Sequence, residues 1–130
     1  MSGEKDLEKL LREMKPELND GEYIYTKIKD FSKIDLNDVL MFFQEKEKAT
    51  LILKREIADK LRLSYEYICA WITLTIHSSL EAVGLTAAFA KALGEANISC
   101  NVVAGYYHDH IFVDIKDKDK AMEVLEKLAR

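Results

Sequence analysis

The 130-residue chain has the composition of an ordinary globular protein, with 48% hydrophobic and 32% charged residues. Its net charge of −4 and pI of about 5.4 leave no basic footprint for nucleic acid, which excludes that class of partner. The charged N-terminus lacks the apolar core of a secretion signal, and no apolar run approaches the ~20 residues that span a bilayer. We therefore expect a cytoplasmic protein without a membrane partner, either one compact domain or two very small fused ones.

Periodicity predicts helices and strands in alternation through the first half of the chain. In order, they are an amphipathic helix with a stripe from Leu7 to Met14 that Pro16 ends, a strand Glu22–Ile28, a helix capped by Asp35, a short strand Thr50–Leu53 and a helix Arg55–Leu61. The helix after Asp35 is expected to bury one face, formed by Leu36, Val39, Leu40 and Phe43. The last helix is expected to turn Ile57, Ala58 and Leu61 inward. The charged run Gln44–Lys48 is a solvated segment.

The second half begins with a long strand signal, the alternation of side chains from Tyr67 to Ile76. After it come a helix that Ser78 or Ser79 can cap, a strand Ile98–Ala104, a turn, a strand His110–Ile115 and a helix Lys118–Ala129 capped by Asp117. Leu85, Phe89 and Leu93 fall on one face of the first helix and are expected to pack on the sheet. This βαββα order is most of a ferredoxin-like βαββαβ unit.

Both halves contain a strand, a helix and a strand in the same order, within Glu22–Leu53 and within Tyr67–Ala104. Residue identity between these segments is negligible, so only the order of the elements recurs. We expect an α+β fold with antiparallel sheets, made of two ferredoxin-like halves, 1–63 and 64–130. Because no Gly/Ser/Pro linker separates them, the halves should pack directly, and they could share or exchange strands.

Several stretches of the second half resemble an ACT domain. They are Leu80–Phe89, Ala96–Ile98, and the turn Val103–Gly105 with His108–Val113 after it. Together with Glu45–Glu47, Thr50–Leu53, Ala70–Leu74 and His77–Ala87, they are similar to a small family of tandem ACT proteins. A more distant similarity is to the ACT modules of aspartate kinases and of CASTOR-type arginine sensors. The resemblance runs nearly end to end and implies two ACT-like halves. Lys48-Ala49 departs from it, because a glycine is expected there, and the departure concerns only the local turn.

The resemblance further implies a regulatory module in which an amino acid or similar metabolite binds where two units meet, against the first strand–helix turn. The residues carried over by position are His77, Ser78, Ser79, Leu80, Val83, Gly84 and Leu85 in the turn, with Asn97 and Ile98 at the facing strand start. A helix N-terminus suits a carboxylate through its free N–H groups and dipole, and Gly84 is expected to let a ligand approach. Glu81 or Asp109 could accept hydrogen bonds from an α-ammonium group. His108 and His110 are expected to line the pocket, and no cofactor is expected.

His108 and His110 also form an H-x-H pair, which on a β-strand would place both imidazoles on one face. A zinc site needs three or four ligands, and only His77 or Asp114 could add to this pair. Histidines that are hydrogen-bonded in a turn, or that line the ligand pocket, are therefore the favoured interpretation, and we expect no metal.

Nucleophilic catalysis is not indicated. Cys69 and Cys100 lie on predicted strands among apolar neighbours, where buried reduced thiols are the simplest interpretation. His77 and Ser78 are adjacent, so on a strand their side chains diverge and cannot form a nucleophile–base pair. Cys69 or Cys100 could form a dyad with His108 only if the fold brings them together. We expect a regulatory protein that is not an enzyme and that forms a homodimer or higher oligomer, with Trp71 at an interface. The alternatives are a structural module that binds no ligand and, less favoured, a small histidine-dependent enzyme.

Overall fold

The computed structural model describes residues 7–75 and 84–129. Its helices are α1 (Leu7–Glu13), α2 (Arg55–Lys60), α3 (Leu85–Glu95) and α4 (Lys118–Leu128). Its strands are β1 (Pro16–Leu18), β2 (Tyr23–Ile28), β3 (Val39–Gln44), β4 (Ala49–Lys54), β5 (Ile68–Leu74), β6 (Asn101–Ala104) and β7 (Asp109–Asp114). The chain separates into two compact units, which we call the central unit, 20–69, and the terminal unit, formed by the residues before and after it. The fold is α+β with antiparallel strand pairing, as predicted.

The terminal unit contains four strands in the order β1-β5-β7-β6. β1 runs antiparallel to β5, with Pro16 opposite Leu74 and Leu18 opposite Ile72. Proline is tolerated there because it is the first residue of the strand. This strand is absent from the prediction, in which Pro16 only ends a helix. The chain order β5, α3, β6, β7, α4 lacks a final strand, and the N-terminal segment supplies it. The unit is thus a ferredoxin-like βαββαβ arrangement completed from the other end of the chain.

The helices of the terminal unit pack over one face of its sheet. α3 contributes Leu85, Phe89 and Leu93, all buried, which confirms the predicted inner face of this helix. The same cluster contains buried residues from α1, β5, β7 and α4, among them Leu10, Ile72, Leu74, Ile111, Val113, Ala121 and Leu125. Burial of apolar surface contributes about 25 cal/mol per Å², so this cluster is the main source of the unit's stability.

The helix starts of the terminal unit differ from the predicted capping. Gly84 stands at the N-cap of α3 and has no side chain with which to cap it. Asp117 stands at the N-cap of α4, but its side chain makes no capping hydrogen bond, so that prediction is wrong. The carboxylate of Asp114 instead accepts a hydrogen bond from the N–H of Lys116 at 3.0 Å, in the 3-10 turn before α4. The start of α4 is therefore stabilised one turn earlier in the chain than the sequence indicates.

The central unit orders its strands β3-β4-β2, followed by the first residues of β5. β2 and β4 pair antiparallel along their whole length, beginning with Tyr23 opposite Lys54. One core cluster of this unit contains Ile24, Leu51, Leu53 and Ala58, and Ala49, Ile52 and Cys69 are buried as well. The inward position predicted for Ala58 on α2 is confirmed, whereas Leu61 is 37% exposed and its predicted inward position is wrong.

The predicted helix after Asp35 is wrong. The carboxylate of Asp35 accepts a hydrogen bond from the N–H of Asn37 at 2.9 Å, but it starts only a 3-10 turn, Leu36–Asp38, which strand β3 follows. The segment VLMFFQ, apolar except for Gln44, fits either a helix face or a strand by periodicity, and its aromatic and β-branched residues favour the strand. Within 20–69, all of which is described, the order is strand, strand, strand, helix, so the strand–helix–strand repeat predicted for this half is wrong.

No helix within the described ranges is long and apolar enough to cross a membrane. The compact units separate after Asn19 and after Cys69. The division of the chain into two domains, 1–63 and 64–130, stays a prediction.

Candidate ligand-binding site

Six of the predicted site residues lie outside the described part of the chain: His77, Ser78, Ser79, Leu80, Glu81 and Val83. The predicted cap of α3 by Ser78 or Ser79 falls there as well. The other predicted site residues lie in the terminal unit at three places, which are Gly84 with Leu85, Asn97 with Ile98, and His108 with Asp109 and His110.

Gly84 and Leu85 mark the start of α3. The backbone at Gly84 has a φ of +94°, a left-handed conformation that favours glycine. A Cβ at this position would lie 3.2 Å from Cδ2 of Leu7, on α1. Glycine at this position therefore makes room for α1. It does not leave open space on this side, where a ligand is expected to approach. Leu85 is only 3% exposed and belongs to the core.

Asn97 and Ile98 follow the other end of α3. Asn97 has a φ of +61°, which asparagine tolerates better than most residues, and the N–H of Ile98 donates to the carbonyl of Leu93 at 2.9 Å. Ile98 is 3% exposed, and the strand predicted to begin there begins at Asn101 instead. An eleven-residue helix is about 16 Å long, so these residues and Gly84 lie at opposite ends of α3. The structure does not bring these two pairs together.

His110 belongs to a polar group on β5 and β7, which are neighbours in the sheet. The indole N–H of Trp71 donates to Nδ1 of His110 at 3.0 Å, and Oγ1 of Thr73 lies 3.2 Å from the same nitrogen. Trp71 and Thr73 alternate along β5 with the core residue Ile72, so they occupy the sheet face opposite the helices. Because Nδ1 accepts the indole hydrogen bond, the neutral ring carries its proton on Nε2.

Asn19 completes this group from the segment after β1. Its side-chain amide donates to Oγ1 of Thr73 at 3.0 Å and to the carbonyl of Trp71 at 3.2 Å, and its backbone N–H donates to that carbonyl at 2.9 Å. We call Asn19, Trp71, Thr73 and His110 the His110 cluster. Sequence reasoning selects His110 and expects Trp71 at an interface, but it misses Asn19. The stretch Asn19-Asp20-Gly21 is typical of a turn, but it gives no indication that this turn lies beside β5.

The hairpin between β6 and β7 places Gly105 next to the Nε2 side of the His110 ring. The N–H of Gly105 donates to the carbonyl of His108 at 2.9 Å. A Cβ on Gly105 would lie 2.9 Å from that carbonyl oxygen and 3.2 Å from Nε2 of His110. Only glycine therefore fits here without movement of the hairpin or the imidazole.

Burial and neighbouring charge favour the neutral imidazole of His110. Burial lowers its pKa, His108 lowers it further, and Asp109 acts in the opposite direction. Burial also raises the pKa of Asp109, against the effect of the two histidines. The rings of His108 and His110 are 6.5 Å apart between centroids and nearly perpendicular, at 79°. The site thus offers a neutral imidazole and a nearby carboxyl group, which are hydrogen-bonding partners for a small polar ligand.

Within the described residues, no group of three or more His, Cys, Asp or Glu side chains could hold a metal ion. Cys69 and Cys100 are both free thiols. Cys69 is buried on β5, whereas Cys100 is half-buried and precedes β6 rather than lying on it. Burial raises the pKa of Cys100 to about 11, which makes this thiol a poor nucleophile at neutral pH.

The central unit contains a concave surface region that the sequence does not predict. It is a groove of about 540 Å³ lined by Tyr25, Thr26, Lys27, Thr50, Ser64, Tyr65, Glu66 and Tyr67. The rings of Tyr25 and Tyr67 face each other across 5.8 Å between centroids, tilted by 58°. These residues come from β2, β4 and the segment before β5, so no short sequence motif joins them.

Two matches to known families cover nearly the whole chain. Residues 2–70 match an ACT domain, and residues 66–127 match an ACT domain again. The chain belongs to the ACT domain family. The tandem ACT arrangement predicted from the resemblance is thereby confirmed. No curated protein matches the chain.

Solved structures share this ACT fold. The protein VC0802 from Vibrio cholerae, described as a protein of unknown function and possible transport protein, is 44% identical, with 97% of this chain and 98% of that chain covered and a TM-score of 0.86. The ligand-free regulatory subunit of aspartate kinase from Thermus thermophilus is 9% identical, with coverages of 87% and 95% and a TM-score of 0.64. E. coli aspartokinase III, in complex with aspartate and ADP, is 15% identical, with coverages of 92% and 33% and a TM-score of 0.60. At these low identities the last two show similarity of fold alone.

Proposed function

We propose that this ACT protein is a regulatory module that binds an amino acid or a similar small metabolite and acts through its oligomeric state or through a partner protein. Two ACT domains in one chain support a regulatory role. A regulatory subunit of aspartate kinase shares the fold of this chain, which agrees with such a role. The single observation that carries the proposal within this chain is the His110 cluster, where polar side chains converge on one face of the sheet.

The His110 cluster has groups that suit a zwitterion. Nδ1 of His110 accepts from Trp71, so the Nε2–H group is the ring's donor and could bind a ligand carboxylate. Asp109 lies close enough to both histidines for their charges to influence its pKa, and its carboxylate could accept from an α-ammonium group. Ser78 and Glu81, together with the rest of the turn, stay proposed ligand contacts on the strength of the family resemblance.

A thermal-shift panel of the twenty amino acids and common polyamines tests the ligand proposal. A compound that binds only the folded protein raises its stability by about 2.7 kcal/mol when present at a hundredfold excess over its Kd. We expect one compound, or one chemically related group, to raise the melting temperature. A flat panel from a correctly folded sample contradicts the proposal and favours the alternative, a structural interaction module without a ligand.

The location of the site is tested with the compound that gives the shift. Thr73→Val keeps the shape of the side chain and removes the hydroxyl that contacts Asn19 and His110. We expect this variant and His110→Ala to weaken the ligand-induced shift. Lys91→Ala, an exposed change on α3, is the matched control and should leave the shift unchanged. If both cluster variants keep the full ligand-induced shift, the ligand binds outside the His110 cluster.

We further propose that the protein is a cytoplasmic homodimer without catalytic activity. The raised pKa of Cys100 argues against a thiolate nucleophile at neutral pH. Turnover of any compound in a broad substrate panel, lost in His108→Ala, would contradict the non-catalytic assignment and favour the histidine-dependent enzyme.

A further inference from the structure

The groove of the central unit gathers half of the tyrosines of the chain. Three of the six, Tyr25, Tyr65 and Tyr67, line this cavity of about 540 Å³, which we call the tyrosine groove. All three rings are half-buried, whereas Lys27 and Glu66, which line the same groove, are exposed. Partly buried aromatic surface with a few charged groups at its rim is the composition of a site for a small molecule.

Tyr65 is held in place by side chains of α2. Its hydroxyl accepts a hydrogen bond from Nε of Arg55 at 3.0 Å and donates one to Oδ1 of Asp59 at 2.6 Å. The guanidinium carbon of Arg55 lies 5.9 Å from the centre of the Tyr65 ring, within the ~6 Å range of a cation–π contact. The ring of Tyr65 is therefore a fixed wall of the groove, and it already interacts with one cation of the protein.

The two sides of the groove, β2 and the segment before β5, are joined by direct contacts. The hydroxyl of Thr26 donates to the carbonyl of Ser64 at 2.7 Å. The rings of Tyr25 and Tyr67 come from the same two sides and lie 5.8 Å apart between centroids, tilted by 58°. Contacts of this kind order the lining side chains, and an ordered site loses less conformational entropy when it binds a ligand.

The charges that line the groove are balanced. Lys27 and Glu66 are its two charged residues, and the other lining residues are tyrosine, threonine and serine. Lys27 leaves the same face of β2 as Tyr25, because side chains alternate along a strand, and two residues of a strand span about 7 Å. The ammonium group of Lys27 can therefore reach a ligand that contacts the Tyr25 ring. One positive and one negative group beside aromatic rings suit a zwitterion better than an ion of either sign.

We propose that the tyrosine groove binds a small zwitterion with a quaternary ammonium group, a betaine, whose ammonium contacts Tyr25 and Tyr67 and whose carboxylate points toward Lys27. The face of an aromatic ring attracts a cation, and quaternary ammonium ligands are recognised in this way. A fully methylated ammonium cannot donate hydrogen bonds, so aromatic rings and the nearby carboxylate of Glu66 suit it better than a set of hydrogen-bond acceptors. The site and the ligand class are both separate from those proposed for the His110 cluster.

Isothermal titration calorimetry of the whole chain with three probes tests the ligand class. Glycine betaine carries both charges, choline carries the same trimethylammonium group without the carboxylate, and the third probe is the neutral alcohol in which a carbon replaces the nitrogen of choline. We expect glycine betaine to bind about threefold more tightly than choline, since an exposed charge pair contributes modestly. The neutral alcohol should bind about tenfold more weakly than choline, because it has the shape without the charge.

Absence of binding by both ammonium compounds, or equal affinity for choline and the neutral alcohol, overturns the proposal. Substitutions at Tyr67 test the location. Tyr67→Leu removes the ring but keeps an apolar side chain, and it should weaken the binding of both ammonium compounds about tenfold, whereas Tyr67→Phe keeps the ring and should retain the affinity. Tyr106→Leu, the same change at an exposed tyrosine of the terminal unit, is the matched control and should have no effect. Wild-type affinity in a Tyr67→Leu chain that is folded by circular dichroism contradicts the proposal.

Lys27 distinguishes a betaine from a simple cation. Lys27→Met removes a charge at an exposed position, where the fold tolerates the change, and should weaken the binding of glycine betaine about threefold without weakening that of choline. Lys29→Met, at an exposed position outside the groove, is the matched control. Equal affinities of Lys27→Met and Lys29→Met for glycine betaine overturn the assignment of the carboxylate to Lys27. Because none of these variants lies in the His110 cluster, this proposal and the proposed function can fail independently of each other.

Discussion

The two compact units of this chain differ in how much helix covers their strands. In the terminal unit, α1, α3 and α4 contribute to one extended core that includes the fully buried Phe89. In the central unit, one short helix accompanies three full strands, and Phe42 and Phe43 of β3 remain exposed. The difference originates after Asp35, where a 3-10 turn and a strand stand in the place of the predicted helix. A sheet with less helical cover keeps apolar surface that is available for association.

The two units also expose different kinds of surface. The terminal unit carries the His110 cluster, which is hydrogen-bonded and polar, on the sheet face opposite its helices. The central unit carries strand β3, on which the apolar side chains of Leu40, Phe42 and Phe43 are exposed. We therefore expect ligand recognition and self-association to respond to different substitutions. The next predictions test this contrast, beginning with the largest expected effect.

Truncation of core residues should destabilise the protein strongly, and most strongly in the terminal unit. Phe89→Ala removes a fully buried ring from α3 and should lower the free energy of unfolding by about 3–5 kcal/mol. Leu51→Ala, in the smaller core of the central unit, should cost less, about 2–3 kcal/mol. Tyr106→Ala, at a 75% exposed position, should change stability by less than about 0.5 kcal/mol. Urea titration measures all three, and a larger loss for Leu51→Ala than for Phe89→Ala would reverse the comparison.

Two glycines of the same helix should respond in opposite directions to alanine. Gly84→Ala forces a side chain into a left-handed backbone and against Leu7, so it should destabilise the protein by about 1–2 kcal/mol. Gly94 lies in α3 without a positive φ, and a Cβ there would meet nothing within 4 Å. Gly94→Ala should therefore stabilise the protein by about 0.5–1 kcal/mol. Equal shifts in the denaturation midpoints of the two variants would show that Leu7 does not pack against Gly84 as described.

The sequence predicts elements well where periodicity is long and consistent. The alternation around Trp71 marks β5, and the spacing of Leu85, Phe89 and Leu93 identifies the buried face of α3. It fails at β3, because the short apolar run Val39–Phe43 satisfies both helical and strand patterns and only the surrounding sheet decides between them. Local signals therefore account for most elements, and tertiary context decides the short apolar ones.

Non-local pairing accounts for what the sequence misses. β1 consists of three residues and is a strand only because it pairs with β5 far along the chain. Asn19 reaches the His110 cluster for the same reason, since the turn after β1 is carried to Trp71 and Thr73. His110 itself is selected from the sequence, but its indole partner is not. Site residues that lie close together in one segment of the chain can thus be predicted from the sequence. Site residues that come together only through the order of the strands in the sheet cannot.

The last and smallest expected effect is a pH dependence of the His110 cluster. Burial first, and His108 second, lower the pKa of His110 in the folded protein below the ~6.5 of an unfolded chain. The unfolded chain then binds the proton more readily. The stability that the neutral ring contributes is therefore fully present above about pH 6.5 and is lost as the pH falls through the folded pKa. Protonation of Nδ1 also removes the acceptor for the indole N–H of Trp71, a hydrogen bond that contributes about 1 kcal/mol.

His110→Asn is the matched variant for this effect, because its side-chain oxygen can accept from Trp71 but does not titrate in this range. Urea unfolding followed by the fluorescence of Trp71, the single tryptophan, should show a smaller loss of stability between pH 7.5 and about pH 5 in the variant than in the wild-type chain. Asp109 has a raised pKa and acts with the opposite sign, since its contribution grows as the pH falls, so Asp109→Asn should enlarge the wild-type loss. If His110→Asn loses as much stability as the wild-type chain, the titrating group lies outside the cluster. The polar site would then be a fixed structural network rather than one that responds to protonation.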